Sequence, residues 1–267
     1  MHPTLEFPDL LRLIEERSNA FRALVAAAPD LDVPVPTCPG WTLFDLAQHV
    51  GQGRLRWAAI VAAGPADERP AGTAPSDAVA APREPEALHA WLAASVDELD
   101  TALRDAGPDR GCWTWWGDSQ SPQTCGAVAR HQLQEISVHT YDAQLAVGDP
   151  QPLPEEVALD GVDEFLSTCC ATTAAWPHDP AVVEYHASEG RSWRMWLSAQ
   201  GARVEPRPSP GATAPDGTPS EGAPDFSARA TASDLVLALY GRHGLESLQS
   251  TGNDKVYDQL VEWEPEV

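Results

Sequence analysis

Four segments with the 3.6-residue periodicity of amphipathic helices precede residue 150, and this pattern constrains the fold more than any other feature. The first, residues 8–28, carries Leu10, Ile14, Phe21, Leu24 and Val25 on one side. The second starts at Thr42, an N-cap with Asp45 three residues on, and runs to about residue 63. A Pro/Ala-rich stretch over 64–85 interrupts the periodicity. It resumes over 86–105 with Leu88, Leu92, Val96, Leu99 and Leu103. The fourth segment begins near Gln123 and ends at Gly148-Asp149-Pro150, a Gly-then-Pro stop. Four such helices with one long connection predict a four-helix bundle, and a further helical stretch over 154–172 leads out of it.

The texture changes after Trp176. Val183, Tyr185 and Ala187 alternate with polar neighbours, and Trp193, Met195 and Leu197 repeat that spacing across residues 188–191, a hairpin signal. Residues 205–225 are rich in Pro, Gly and Ser and are expected to form a mobile, protease-sensitive loop. Phe226, Ala228 and Ala230 predict a short strand. Thr231 with Asp234 predicts a capping box opening a helix over 233–240, closed by Gly241. A last strand over 245–250 and a helix over 254–263 complete the reading. The fold class is therefore α+β, with a bundle over 1–176 and a small α+β domain over 177–267.

A hydrophobic content of 43% is ample for packed cores. The surface is another matter: 40 acidic against 17 basic residues give a formal charge of −23. Such a field repels phosphate backbones and acidic lipids, which argues against nucleic-acid and membrane partners. The acidic start, with Glu6, Asp9, Glu15 and Glu16, lacks the basic and apolar blocks of a secretory signal. Five cysteines at irregular spacing form no CxxC pair, so a reducing cytoplasm is the expected compartment.

Chemistry concentrates on the fourth helix. At about 100° per residue, Val128, His131, Glu135, His139, Asp142 and Ala146 share one face. Ser137, Thr140 and Gln144 are expected on the opposite side. Unpaired charges in a core-facing sector are costly, so these side chains either satisfy one another and buried partners or hold a metal. Glu135 and His139 are one turn apart and can reach one ion. On the second helix His49 lies at the margin of an apolar sector, with Gly53 one turn later; alone, such a histidine is more often a half-buried core residue than a ligand.

The run Val35-Pro36-Thr37-Cys38-Pro39-Gly40-Trp41-Thr42, followed by Asp45-Leu46-Ala47-Gln48-His49-Val50, resembles the start of the mycothiol-dependent maleylpyruvate isomerase family. Glu135-Ile136-Ser137-Val138-His139-Thr140-Tyr141-Asp142-Ala143 resembles that family's Glu-x3-His-x2-Asp motif, and Ala232-Ser233-Asp234-Leu235 with Gly241-Arg242 extends the likeness to the C-terminal part. Gln134 departs from the His that members often have before the motif's Glu. The resemblance implies a DinB-like four-helix bundle followed by a domain similar to sterol carrier proteins. It also implies His49, Glu135 and His139 as ligands of a divalent ion, usually zinc, with mycothiol or a similar thiol as cosubstrate.

Two imidazoles and one carboxylate leave a coordination position open, as a catalytic zinc requires. Coordination favours the thiolate of a small thiol. Its conjugate addition to a cis enone acid gives a rotatable single bond, and expulsion of the thiol gives the trans product. Without elimination the same chemistry is S-transfer to an electrophile. Asp142 is expected to orient a ligand histidine, and His131 either exchanges protons or is simply buried and hydrogen-bonded. Trp113, Trp115 and Trp116 either wall a thiol and substrate pocket or cap the bundle. Arg242 matches an arginine the family places near its active site; otherwise it is a surface charge at a helix end. The expected assembly is a monomer or homodimer. Two other readings share these residues: a bundle that binds metal or ligand without turnover, and a non-haem iron oxygenase.

Overall fold

The structure, a computed structural model, describes residues 5–208 and 222–263. Its helices and strands divide into two compact units.

The first unit, Leu5–Trp115 with Pro122–Leu153, holds four long helices: α1 (Phe7–Ala27), α2 (Leu43–Ala63), α3 (Pro85–Ala106) and α4 (Cys125–Val147). The expected periodicities are realised almost residue for residue. α1 packs chiefly on α4 and α2 on α3, around a core that includes Phe21, Leu43, Leu46, Leu92 and Ile136. α2 starts with the anticipated capping box: Thr42 accepts from the Asp45 amide while the Asp45 carboxylate takes the Thr42 amide and hydroxyl. These Thr42 hydrogen bonds hold the Asp45 carboxyl below its usual value. The cap's contribution is therefore complete above the unfolded-state pKa of about 3.9 and fades as acid protonates the folded carboxylate. Asp45→Ala is expected to cost about 1 kcal/mol at neutral pH and nothing once both states are protonated, readable from melting curves across pH.

α4 differs from expectation. Ser137 and Thr140, read as outward-facing, are buried, so the helix is enclosed on nearly every side. Each hydroxyl donates back to the carbonyl one turn earlier, Ser137 to Leu133 at 2.7 Å and Thr140 to Ile136 at 2.6 Å. That internal satisfaction is what permits their burial.

Helix α2 approaches α3 at Gly51, where an added Cβ would lie 2.1 Å from the Trp91 ring. Gly51→Ala is expected to destabilise the bundle by about 1–3 kcal/mol through overpacking; an unchanged melting temperature would show that this interface yields without cost.

The second unit comprises Trp116–Ser121 and the chain from Pro154 on. It contains α5 (Glu155–Phe165), which a short π-helical turn extends to Cys170, and a five-stranded sheet of β1 (Ala181–Ala187), β2 (Arg191–Ser198), β3 (Gly201–Pro208), β4 (Phe226–Ala230) and β5 (Gln249–Gly252). α6 (Ala232–Leu239) and α7 (Asp254–Glu262) complete it. The sheet order is β3-β2-β1-β4-β5, with β1 and β4 parallel and the other pairs antiparallel.

Two expectations change. α5 packs on α6, so the second unit begins at Pro154 instead of 177. Residues 205–208, read as the start of a loop, finish β3, with Trp193 opposite Pro206 and Arg191 opposite Pro208. An edge strand tolerates proline because its missing N–H faces away from the ladder. Most of the expected mobile loop, 209–221, lies outside the described residues. All five cysteines are free thiols, and among the described residues no helix is long and apolar enough to cross a membrane.

Candidate metal centre

The two sequence motifs meet inside the first unit. One ligand atom from each of His49, Glu135 and His139 lies within 4.8 Å of the others. The Glu135 Oε2 is 3.6 Å from His139 Nε2 and 3.9 Å from His49 Nε2. These separations are too long for hydrogen bonds. Ligand bonds of ~2.0–2.2 Å around a tetrahedral ion, however, put neighbouring donor atoms roughly 3.3–3.6 Å apart. An inner pocket of about 30 Å³ lined by the same three residues, Gly53 and Gln132 gives space for an ion and little more. By spacing, space and donor chemistry, the residues fit a divalent cation.

The surroundings fix the ligands' orientation. His139 Nδ1 lies 2.9 Å from Asp142 Oδ2, which turns Nε2 toward Glu135 and His49. Asp142 is fully buried and is itself held: the Thr37 hydroxyl donates to its Oδ1 at 2.6 Å, and the Cys38 thiol reaches Oδ2 at 3.7 Å. Trp41 from the same loop packs its ring 4.9 Å from that of His49, which in turn meets the His139 ring edge-on at 5.0 Å. The Thr37–Trp41 loop thus acts on both histidines, one directly and one through Asp142.

Cys38, His139 and Asp142 form a second group with ligand-type atoms close together. It fits an ion less well. The 2.9 Å contact between His139 and Asp142 is a hydrogen bond, and Thr37 already donates to the other carboxylate oxygen.

Charge follows geometry. Burial by itself would raise the Glu135 carboxyl, but the imidazoles of His139 and His49 and the charge of His131 outweigh it and hold it well below the usual range. For His139, burial would lower the imidazole, yet Asp142 and Glu135 push it up to about 9. An ion must therefore displace a proton from His139 at neutral pH. Metal affinity is expected to rise with pH up to about 9 and to fall in acid, with proton release on binding measurable by calorimetry in buffers of different ionisation enthalpy. Asp142→Asn should weaken metal binding by roughly 10–100-fold while leaving the fold intact, because a neutral amide, with one oxygen replaced by an NH2 donor, holds His139 less firmly than the carboxylate. Equal affinity in that variant would show the carboxylate to be structural only.

The other expected residues separate. His131 is buried, 3.9 Å from the second Glu135 oxygen, with Trp115 and Trp57 rings at 5.7 and 6.2 Å. Trp113 and Trp115 line a larger cavity of about 240 Å³ beside His49 and Glu135. Trp116 does not join them. It belongs to the second unit and is almost wholly buried, whereas Trp115 belongs to the first. Arg242 also belongs to the second unit, where its Nη1 donates to the Tyr240 carbonyl at 2.6 Å. Arg56, Trp57 and Arg69 line the larger cavity without having been singled out as site residues. Arg56 was legible, being seven residues, two helical turns, after His49; Arg69 lies in the irregular α2–α3 connection and gave no signal.

The family model for the mycothiol maleylpyruvate isomerase N-terminal domain matches residues 11–144, and that for the MDMPI C-terminal domain matches residues 156–259. No curated protein matches the chain in sequence. Among solved structures, a crystal structure of the mycothiol-dependent maleylpyruvate isomerase is similar at 15% identity with a TM-score of 0.55, covering 92% of this chain and 93% of that one. A histidine-to-alanine mutant of that isomerase is similar at 14% identity with the same score and coverage. At these identities the likeness establishes the fold.

Proposed function

Because the chain belongs to the mycothiol maleylpyruvate isomerase family, we propose that it is an enzyme using a small thiol, such as mycothiol, on an electrophilic small molecule. The reaction is cis–trans isomerisation of a maleylpyruvate-like enone acid or S-transfer. His49, Glu135 and His139 hold its divalent ion, for which zinc suits the donor set. The observation that carries this reading is the donor spacing of 3.6 and 3.9 Å around Glu135, with Asp142 bonded to the far nitrogen of His139. An ion held there favours the thiolate of an incoming thiol.

The chain's own residues account for the rest. Asp142 keeps His139 in the orientation that presents Nε2, and Trp41 does the same for the ring of His49. Trp57, Trp113 and Trp115 give the larger cavity apolar walls that limit water around a reactive thiolate and an enone. His131, next to the second oxygen of Glu135 and lining that cavity, is placed to exchange a proton with the reacting carbon skeleton. In the isomerase mode the thiolate forms a C–S bond at the enone, the resulting single bond rotates, and the same C–S bond breaks to return the thiol. In the transferase mode the adduct takes up a proton and leaves.

The test is a screen of thiol and electrophile pairs read by mass spectrometry. The expected result is conversion that needs both thiol and metal and stops on chelation. Conversion that proceeds equally without thiol would overturn the proposal.

A further inference from the structure

Two guanidinium groups border the larger cavity without a carboxylate to pair with. Among the described residues, neither Arg56 nor Arg69 makes a hydrogen bond or an ion pair, although arginines elsewhere, such as Arg12, Arg83 and Arg104, find carboxylates. Arg56 is half-buried on α2, and Arg69, exposed, lies over the Trp113 ring at 4.7 Å, which braces its planar fork at the cavity edge. The two are close enough to oppose each other. Burial and then the charge of Arg69 lower the Arg56 pKa, and Glu135 offsets this only in part.

Arg56, half-buried and facing the charge of an exposed Arg69 across the cavity mouth, is unfavourable there unless an anion joins them. In a chain of net charge −23, the position of such a pair is informative. The Glu135 carboxylate does not fill this role when it serves an ion. At about 240 Å³ the cavity is also smaller than drug-sized pockets of ~300–1,000 Å³, which suits a compact metabolite.

We infer that Arg56 and Arg69 form a carboxylate-binding subsite that selects and orients the electrophile, placing its carboxylate end against the two forks and its reactive carbon toward the His49–Glu135 side of the cavity. This rests on the proposed reading of the site as a thiol-and-electrophile centre. It assigns the role of carboxylate recognition to the bundle unit itself, with Arg56 from the helix that supplies His49 and Arg69 from the connection that follows it.

The test measures binding and not turnover, with succinate as a saturated dicarboxylate that cannot add a thiol and succinamide as its uncharged counterpart. Calorimetric titration of the metal-loaded full chain is expected to show succinate bound more tightly than succinamide. Arg56→Gln and Arg69→Gln should each weaken succinate by about tenfold or more, with succinamide binding and metal content unchanged. Arg56→Lys and Arg69→Lys should restore binding only in part, since an ammonium cannot reproduce the bidentate fork. Undiminished succinate binding in both glutamine variants, or equal binding of the diamide, would overturn the inference. Repeating the titrations on metal-free protein separates the two claims. If no metal binds yet succinate depends on both arginines, the metal-centre reading fails and the subsite stands; if metal and thiol-dependent turnover are present without that dependence, the reverse holds.

Discussion

His139→Ala is expected to abolish stoichiometric metal binding and thiol-dependent turnover together, while the bundle remains folded. Among the described residues, His139 alone is placed to donate one imidazole nitrogen to the ion and commit the other to Asp142, so its loss removes a ligand and the anchor of the orienting network at once. The effect should exceed the roughly 10–100-fold that loss of an outer partner costs. Metal analysis after dialysis, with circular dichroism as the control for folding, checks it. Full metal retention in this variant would remove the basis of the assignment.

The largest stability effect is expected in the second unit, at Trp193. Its side chain is fully buried in the sheet and its indole N–H donates to Asp163 at 2.9 Å. Trp193→Ala leaves a large cavity and should cost about 3–5 kcal/mol, much of the ~5–15 kcal/mol that keeps a typical domain folded. Trp193→Phe, which loses mainly the indole donor and part of the volume, should be markedly milder. Urea denaturation of the two variants gives both values. Equal, small losses would mean that this part of the sheet repacks freely.

The bundle helices were legible because a single apolar stripe at a 3.6-residue period leaves little choice of secondary structure. Burial was less legible than helicity. Ser137 and Thr140 read as outward-facing because they are polar, but hydroxyls bonded to carbonyls of their own helix can be buried without outside partners. β3 was hidden by Pro206 and Pro208, which signal a loop unless the strand is known to be an edge.

In the candidate site, Glu135 and His139 stood out from spacing alone. His49 did not, since nothing along the chain states that Trp41 packs on its ring or that α2 faces α4 at that level. The Thr37–Trp41 motif gains its physical meaning only in three dimensions, where it buttresses Asp142 and His49 together. Arg69 belongs to an irregular connection whose path no periodicity encodes.

The central claim is that the ion is held by His49, Glu135 and His139 and not by the neighbouring Cys38, His139 and Asp142. X-ray absorption on thiol-free, zinc-loaded protein tests it directly, because Zn–N and Zn–O bonds of ~2.0–2.2 Å differ from a Zn–S bond of ~2.3 Å. The expected result is about one zinc per chain with nitrogen and oxygen scatterers only, two of them imidazole, and a sulfur contribution appearing only when the small thiol is added. A sulfur scatterer in the absence of added thiol, surviving in Glu135→Gln and lost in Cys38→Ser, would contradict the assignment.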